Sequence, residues 1–464
     1  MPDSKKTGRH RAVPSSRLGR LSGFGRLAGG IATGMMAEGA RRLATGELPK
    51  LQDMMLTPGN AMRLADRLSH LRGAAMKLGQ MISMDAGDLL PPELSSLLAS
   101  LRDNANFMPP RQLQQVLKAE WGDDWRSQFA EFQVRPIAAA SIGQVHKAVT
   151  HDGRTLAIKV QYPGVRESID SDVDNVATLL RISSMVPDHL DLAPMLAAAK
   201  AQLHEEADYL REGAQMQRYA KLLADDDRFI VPELDEELTS DRIIAMSYVP
   251  GVAIESLESE SQDLRNEVTH RVVTLVAREL FEFGVMQTDP NFANFLYQPE
   301  TGKVVLLDFG ATREIDADVQ DSYRQLLKAG LADDMDGVIE ASVAAGFIKP
   351  LAVERYDDSV RFMTQIILDE FGSDGPFDFG DRGFVKVLTD EGMRIAQDRD
   401  AWHMPPVETL FVQRKISGTA MLGARLKAVV PVRNIVTKAL NENASTKDKL
   451  VRISSRVSAL RSNG

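Results

Sequence analysis

Apolar positions recur at helical spacing over residues 60–101, where Met62, Leu64, Leu68, Leu71, Ala75, Met76 and Leu78 fall on one stripe and Pro91 and Pro92 open a further helix. At Gln133 the period changes to that of strands. Two alternating runs, residues 144–149 and 155–161, flank His151, Asp152 and Gly153, and the Asp-Gly pair predicts a hairpin turn between them. A helical period returns over residues 169–223, and short strands are predicted at 230–231 and 242–249. Beyond Gly251 the chain reads as mostly helical, except at 302–309, where a turn precedes the apolar run Val304, Val305, Leu306 and Leu307. The predicted order is helices, a small antiparallel sheet with an inserted helix, then a larger helical lobe.

A chain of 464 residues exceeds what one core supports, so two lobes and an extension are expected. The boundaries expected from the pattern are a basic, small-residue segment at 1–50, a helical extension at 51–130, a smaller lobe with inserted helices at 131–250 and a helical lobe at 251–464. Cysteine is absent, which excludes disulfides, thiolate metal sites and a cysteine nucleophile. The net charge of −10 argues against a general nucleic-acid binder. No apolar run approaches the roughly 18 residues that span a bilayer. No HExxH or paired histidine spacing is found, so a zinc hydrolase is set aside.

The N-terminus departs from the acidic body. Lys5, Lys6, Arg9, Arg11, Arg17, Arg20 and Arg26 face only Asp3 before Glu38, with Leu18, Leu21, Phe24 and Leu27 at near-helical spacing. The segment is a basic amphipathic stretch suited to an anionic membrane surface, a solvated tail or a mitochondrial presequence, and it carries no secretory signal pattern. Residues 25–39 follow with Gly30 and Gly34 at GxxxG spacing, which suits close helix contact or shallow insertion.

The chemistry gathers in four places. Ala138-Ala139-Ala140-Ser141-Ile142-Gly143-Gln144-Val145 has the layout of a kinase phosphate loop, with alanines at the first two glycine positions. Alanine takes positive φ only at a cost and adds a methyl at the phosphate face, so nucleotide grip should differ from that of an ordinary kinase. Fourteen residues after Val145, strand alternation puts Ala157 and Lys159 on one face, a small residue at the adenine end and an ammonium at the phosphate end. The helical stretch supplies Glu206, Asp208 and Glu212; Glu212 is taken as the partner of Lys159, leaving Glu206 and Asp208 to serve a second lysine.

The most specific element is the pair of segments QTDPNFANF and LLDFGATRE. Asp289 and Asn294 have the spacing of the kinase catalytic loop, and Asp308-Phe309-Gly310 follows after a short hairpin. Phosphoryl transfer needs oxygen ligands for Mg²⁺ and a carboxylate beside the attacking oxygen; Asn294 and Asp308 suit the first role and Asp289 the second. A DFG triplet alone occurs by chance in many proteins. Its combination with DxxxxN, the AIK strand and the small-residue loop does not.

On these motifs the chain resembles the UbiB/AarF/ADCK family of atypical kinases, in its coenzyme Q branch. Further matching segments are VPSSRLGRL at residues 13–21, RGAAMKLGQMIS at 72–83 and QYPGV at 161–165. Lys77 and Gln80 match the family's KxGQ signature, and Glu206 with Asp208 its ExD signature. Many relatives carry HADPHPGN at the catalytic loop, whereas Gln287, Asn291 and Ala293 stand here, which is the coenzyme Q pattern and removes a histidine base from that position.

The resemblance implies an α+β, protein-kinase-like two-lobed fold with an N-terminal helical KxGQ extension folded over the active site. It also implies ATP or ADP with Mg²⁺ as cofactors, Met246, Tyr248 and Val249 as nucleotide-lining residues beside the loop, and a regulatory role for Lys77, Gln80, Glu206 and Asp208. The implied partners are a nucleotide, an anionic membrane surface and ubiquinone-biosynthesis proteins or quinone-precursor lipids, with a homodimer left open. The implied location is peripheral at an inner membrane, on the cytoplasmic or mitochondrial matrix side. After Asp308-Phe309-Gly310 the chain enters a helical pattern at 319–327 with no APE motif, so the platform for a peptide substrate is missing. An ATPase-like atypical kinase therefore leads. An active protein or small-molecule kinase and a nucleotide-gated lipid-binding scaffold are the alternatives.

Overall fold

The computed structural model describes residues 107–182, 193–372, 375–398, 400–401 and 405–441. The basic N-terminal segment, the run at 25–39, the helices predicted over 60–101 and the signature residues Lys77 and Gln80 lie outside these. The chain folds as two compact units. Among the described residues, one takes in those up to Lys221 together with Val231–Val249 and Asp308–Ala311; the other takes Leu222–Ile230, Pro250–Leu307 and those from Thr312 onward.

In the first unit, helix α1 (Pro110–Trp121) starts with proline at its first turn, where the missing N–H costs nothing, and stops at Gly122, whose φ is +86°. Strands β1 (Phe129–Phe132), β2 (Ala138–Ala139), β3 (Gly143–Thr150) and β4 (Thr155–Gln161) follow. The β3–β4 hairpin closes through Asp152 and Gly153, and φ of +88° at Gly153 explains the glycine. Helices α2 (Ile169–Ile182), α3 (Ala193–Glu206) and α4 (Tyr209–Leu222) are inserted next. After β5 (Phe229–Ile230), which belongs to the second unit, β6 (Ile243–Ser247) returns to pair with β4. All pairings in this sheet are antiparallel, in the order β1-β3-β4-β6, with β2 beside β3.

Alternation divides the sheet's side chains between a core face and a face that carries the chemistry. Ala148, Leu156, Ile158, Val160, Ile243 and Ala245 pack against Leu113, Val116 and Leu117 of α1, which recur at helical spacing on one stripe. Each fully buried Leu, Ile or Val among them contributes about 1.5–3 kcal/mol.

His146 also lies on the core face and is fully buried. Its Nδ1–H donates to the Gln133 carbonyl at 2.9 Å and its Nε2 accepts from the Gln144 amide at 2.9 Å. Gln144 Oε1 in turn accepts from the Met108 N–H at 2.8 Å, which fixes the amide's orientation. Burial pulls the His146 pKa down to about 4, so the folded chain resists a proton that the unfolded chain accepts near pH 6.5. Stability should therefore fall by about 3 kcal/mol as the pH drops from 6.5 through 4. Urea unfolding midpoints of the parent and His146→Gln, compared between pH 7 and pH 4.5, test this: the parent should lose more, and equal losses would contradict it.

The second unit holds α5 (Gln262–Arg278), which runs into a π-type turn (Glu279–Phe283), then α6 (Ala317–Leu331), α7 (Met335–Ala344), α8 (Pro350–Arg355), α9 (Asp357–Gly372), α10 (Gly383–Ala396) and α11 (Val407–Leu426). Its core joins Val276, Leu280 and Phe281 to Met286, Tyr323, Val412 and Leu440. Short strands β7 (Val252–Ala253), β8 (Val285–Gln287), β9 (Phe295–Gln298), β10 (Lys303–Leu306) and β11 (Thr312–Glu314) form two small sheets, β5-β10-β9-β7 and β8-β11, and β12 (Phe377–Asp378) pairs with β13 (Val429–Val430).

Several local expectations are corrected. The chain beyond Gly251 is not helical at β7, β8, β9 and β11, which are only two to four residues long and too short to show a period. The strand expected at 230–231 is Phe229–Ile230, and it pairs in parallel with β10 rather than joining the sheet of β6. Strand structure begins at Phe129, ahead of Gln133.

Candidate functional site

The sheet's second face carries two cross-strand rows. Ala138, Val145, Lys159 and Ile244 are successive register partners across β2, β3, β4 and β6, and Lys147, Ala157 and Met246 form the next row. The predicted wall of a small residue and a lysine is thus continued by Val145 and Met246. Tyr248 follows beyond β6; its ring stands 4.4 Å from the Lys147 ammonium and its N–H donates to the Thr155 carbonyl. Val249 lies two residues past the end of β6 and is half-buried.

Lys159 is buried, and its ammonium holds both oxygens of Glu212 at 2.8 and 3.0 Å and Asp308 Oδ2 at 3.0 Å. Burial works against the charge, but the Asp308 and Glu212 carboxylates outweigh it and hold the Lys159 pKa well above the ordinary lysine value. Burial likewise pushes the Glu212 carboxyl upward, with the Lys159 ammonium pulling it back. Contacts from both carboxylate oxygens are those of an ion pair, which Glu212 joins from the first turn of α4, where the helix dipole favours an anion.

The alanine loop is a tight hairpin end: the Ala140 N–H donates to the Gly143 carbonyl at 2.9 Å, and neither Ala138 nor Ala140 takes positive φ. Alanine is therefore unstrained in this loop. Gly143 is the close-approach position, because a Cβ there would lie 2.5 Å from the Val160 carbonyl oxygen and 2.9 Å from the Tyr209 hydroxyl. Tyr209 is fully buried, and its ring lies 5.2 Å from the Lys159 ammonium.

Ser141 Oγ donates to Glu206 Oε2 at 3.0 Å, which ties the ExD glutamate to the loop. A Cβ on Gly310 would lie 3.4 Å from Glu206 Cα, and Arg211 donates to the Gly310 carbonyl at 2.7 Å. The loop, the ExD segment and the DFG triplet thus meet within one unit. Asp208 serves locally as the cap of α4, accepting from the Arg211 N–H at 3.0 Å. Tyr209 and Arg211 both sit within the segment HEEADYLREG but were not singled out by sequence; a large aromatic immediately after the ExD pair was the available signal.

In the second unit, β8 delivers Gln287 and Thr288 to Asp289, and a short 3₁₀ turn (Phe292–Asn294), capped by the Asn291 side chain, leads to β9. Asn294 Nδ2 donates to both the Asp289 carbonyl and Asp289 Oδ2 at 3.3 Å, so its own amide oxygen points away from that contact. The β9–β10 hairpin then returns the chain, and the Leu307 N–H donates to the Asn294 carbonyl one residue before Asp308. Asp308 Oδ1 accepts from the Gly310 N–H at 3.0 Å, and Phe309 is buried against Tyr219 at 5.1 Å.

Mg²⁺ takes hard oxygen ligands and is commonly held by one or two protein groups together with substrate phosphates. Asp308 in the first unit and Asn294 in the second each carry an oxygen of that type. Among the described residues no group of three or more His, Cys, Asp or Glu forms a self-sufficient cage for a metal. Among the same residues, no helix is long and apolar enough to cross a membrane.

The model of the ABC1 atypical kinase-like domain matches residues 100–342. The atypical kinase COQ8B, mitochondrial, of Rattus norvegicus is 39% identical over 94% of this chain and 82% of its own length. The atypical kinase COQ8, mitochondrial, of Saccharomyces cerevisiae is 38% identical over 92% of this chain and 85% of its own length. Among solved structures, the complex of Rv3197 with erythromycin from Mycobacterium tuberculosis superposes with a TM-score of 0.56 at 25% identity, covering 81% of this chain and 94% of that one. The fold is the expected α+β protein-kinase-like one. The chain belongs to the ABC1 atypical kinase family, within the branch of the COQ8 proteins.

Proposed function

We propose that this chain is a Mg-nucleotide-binding atypical kinase with ATPase activity that supports coenzyme Q biosynthesis at a membrane surface. The observation that carries the proposal is the buried Lys159 ammonium, held at once by Glu212 and by the DFG carboxylate of Asp308. A buried lysine paired with a helix glutamate and close to the DFG carboxylate matches the parts of a kinase nucleotide site. In this reading Ala138, Ala139, Ala140, Ser141, Gly143 and Val145 cover the nucleotide, with Ala157, Met246, Tyr248 and Val249 at its base end. Lys159 meets the phosphates, Glu212 braces it, Asp308 and Asn294 take Mg²⁺, and Asp289 orients the attacking oxygen. Lys77 and Gln80 act with Glu206 and Asp208 as a regulatory cover.

ATP hydrolysis is favoured over peptide phosphorylation because β11 and α6 follow the DFG triplet directly, leaving no long activation segment. The COQ8 relatives are mitochondrial atypical kinases, and the coenzyme Q pathway, an inner-membrane location and association with quinone-pathway proteins or lipids follow from the family resemblance of the motifs; docking through the basic segment at 1–50 comes from its charge pattern. The test is quinone content and pathway intermediates in cells lacking the protein, complemented with the parent or with Asp308→Asn. Restoration by the parent alone is expected, and equal restoration by Asp308→Asn would contradict the proposal. Phosphate release measured without any acceptor, against transfer to candidate acceptors, separates ATPase from kinase.

A further inference from the structure

Helix α11 carries a lysine on its buried stripe. Lys415 is 1% exposed and shares that stripe with Phe411, Val412, Thr419 and Leu422. Its ammonium donates to Gln287 Oε1 at 3.1 Å and stands 3.8 Å from Glu279 Oε2. Glu279 opens the π-type turn that interrupts the end of α5, and its other oxygen accepts the Gln287 backbone N–H at 3.2 Å. The same ammonium lies 5.3 Å from the centre of the Phe295 ring. Gln287 is two residues before Asp289, and Phe295 is the residue after Asn294. One buried charge therefore contacts residues that flank the DxxxxN loop on both sides.

Stability alone gives little reason for this arrangement. Removing an ammonium and a carboxylate from water costs several kcal/mol, and a well-packed apolar pair of similar size is often as stable or more so. What the charges add is directionality: a donor aimed at one acceptor fixes a loop more narrowly than apolar contact does. The π-type turn fits this reading, since an inserted residue in a helix re-aims the side chains at that point, here Glu279 toward the Gln287 amide.

We infer that Lys415 is a positioning residue for the catalytic loop, acting with Glu279 through Gln287 to hold Asp289 and Asn294 in their working geometry. The inference rests on the proposed catalytic role of Asp289. A displacement of about 1 Å in such a loop can lower turnover up to about a hundredfold.

The test uses the full chain and four forms: the parent, Asp289→Asn, Gln287→Met, and the double variant Lys415→Met/Glu279→Gln. The double variant removes both buried charges together, and Gln287→Met leaves the Lys415–Glu279 pair intact, so each is designed to avoid a stranded charge. Thermal midpoint, Mg-ADP affinity, and kcat and KM for phosphate release are measured on each. Both network variants should keep the parent's nucleotide affinity and KM while kcat falls about ten- to a hundredfold. If either folds as stably as the parent and keeps its kcat, Lys415 only fills space and the inference is overturned. If Asp289→Asn itself releases phosphate at the parent's rate, the catalytic reading fails and takes the inference with it; an inactive Asp289→Asn beside fully active network variants sinks the inference alone.

Discussion

Replacing Lys159 by methionine is expected to destabilise the chain by about 3–5 kcal/mol and to abolish nucleotide binding. The stability loss comes from Glu212, which is buried and would be left without its ammonium. Its carboxyl is already pushed upward by burial and would rise further, so the folded variant would favour the protonated form. A group whose folded pKa lies above its unfolded value contributes stability below the unfolded pKa and loses it as pH rises. The variant's deficit should therefore be small in acid and largest near pH 8. Adding Glu212→Gln to Lys159→Met should restore much of the stability and none of the nucleotide binding. Urea unfolding across pH, together with Mg-ADP titration of the single and double variants, checks both halves. A double variant that regains nucleotide affinity would show that the ammonium serves the protein core alone.

Asp289→Asn is expected to lower turnover by about 10²–10⁴-fold while leaving Mg-nucleotide affinity near that of the parent. The substitution keeps the side chain's shape, and the contact from Asn294 to the Asp289 backbone carbonyl is untouched, so the loop should hold. In the proposed mechanism, what is lost is the carboxylate that would orient or deprotonate the attacking oxygen. Asn294→Ala should behave differently, because on the proposed assignment it would remove an oxygen ligand and weaken Mg²⁺ and nucleotide together. Phosphate-release kinetics at varied Mg²⁺ distinguish the two. Equal Mg²⁺ dependence of both variants would mean that the roles of Asp289 and Asn294 are wrongly divided.

Much of the fold and the first half of the site could be read in the sequence, because they rest on local signals. The β3–β4 hairpin followed from Asp152-Gly153 and two alternating runs, and the position of Lys159 on β4 followed from alternation and spacing. Glu212 was chosen among the acids of the predicted helical stretch, which also offered Glu206 and Asp208; the structure pairs Glu212 with Lys159, joins Glu206 to Ser141 and makes Asp208 the cap of α4. The remainder depends on long-range contact that no window of sequence contains. Ser141 meets Glu206 across 65 positions, and Lys415 meets Gln287 across 128. A lysine between Phe411, Val412 and Leu422 reads as an ordinary polar interruption until the neighbouring elements are placed around it. The short strands around the catalytic loop escaped for a simpler reason: two to four residues carry no period, and their pairing is decided by the loop they frame.

If the Asp308 carboxylate, set against Lys159, makes this a Mg-dependent nucleotide site, ADP should bind only with the metal. Calorimetric titration of ADP into the full chain, with Mg²⁺ and with excess chelator, measures it directly, run in parallel on Asp308→Asn. Binding by the parent that requires Mg²⁺, and a loss of several kcal/mol of binding free energy in Asp308→Asn, is the predicted result. Nucleotide bound equally well without Mg²⁺, or equally well by Asp308→Asn, would contradict it.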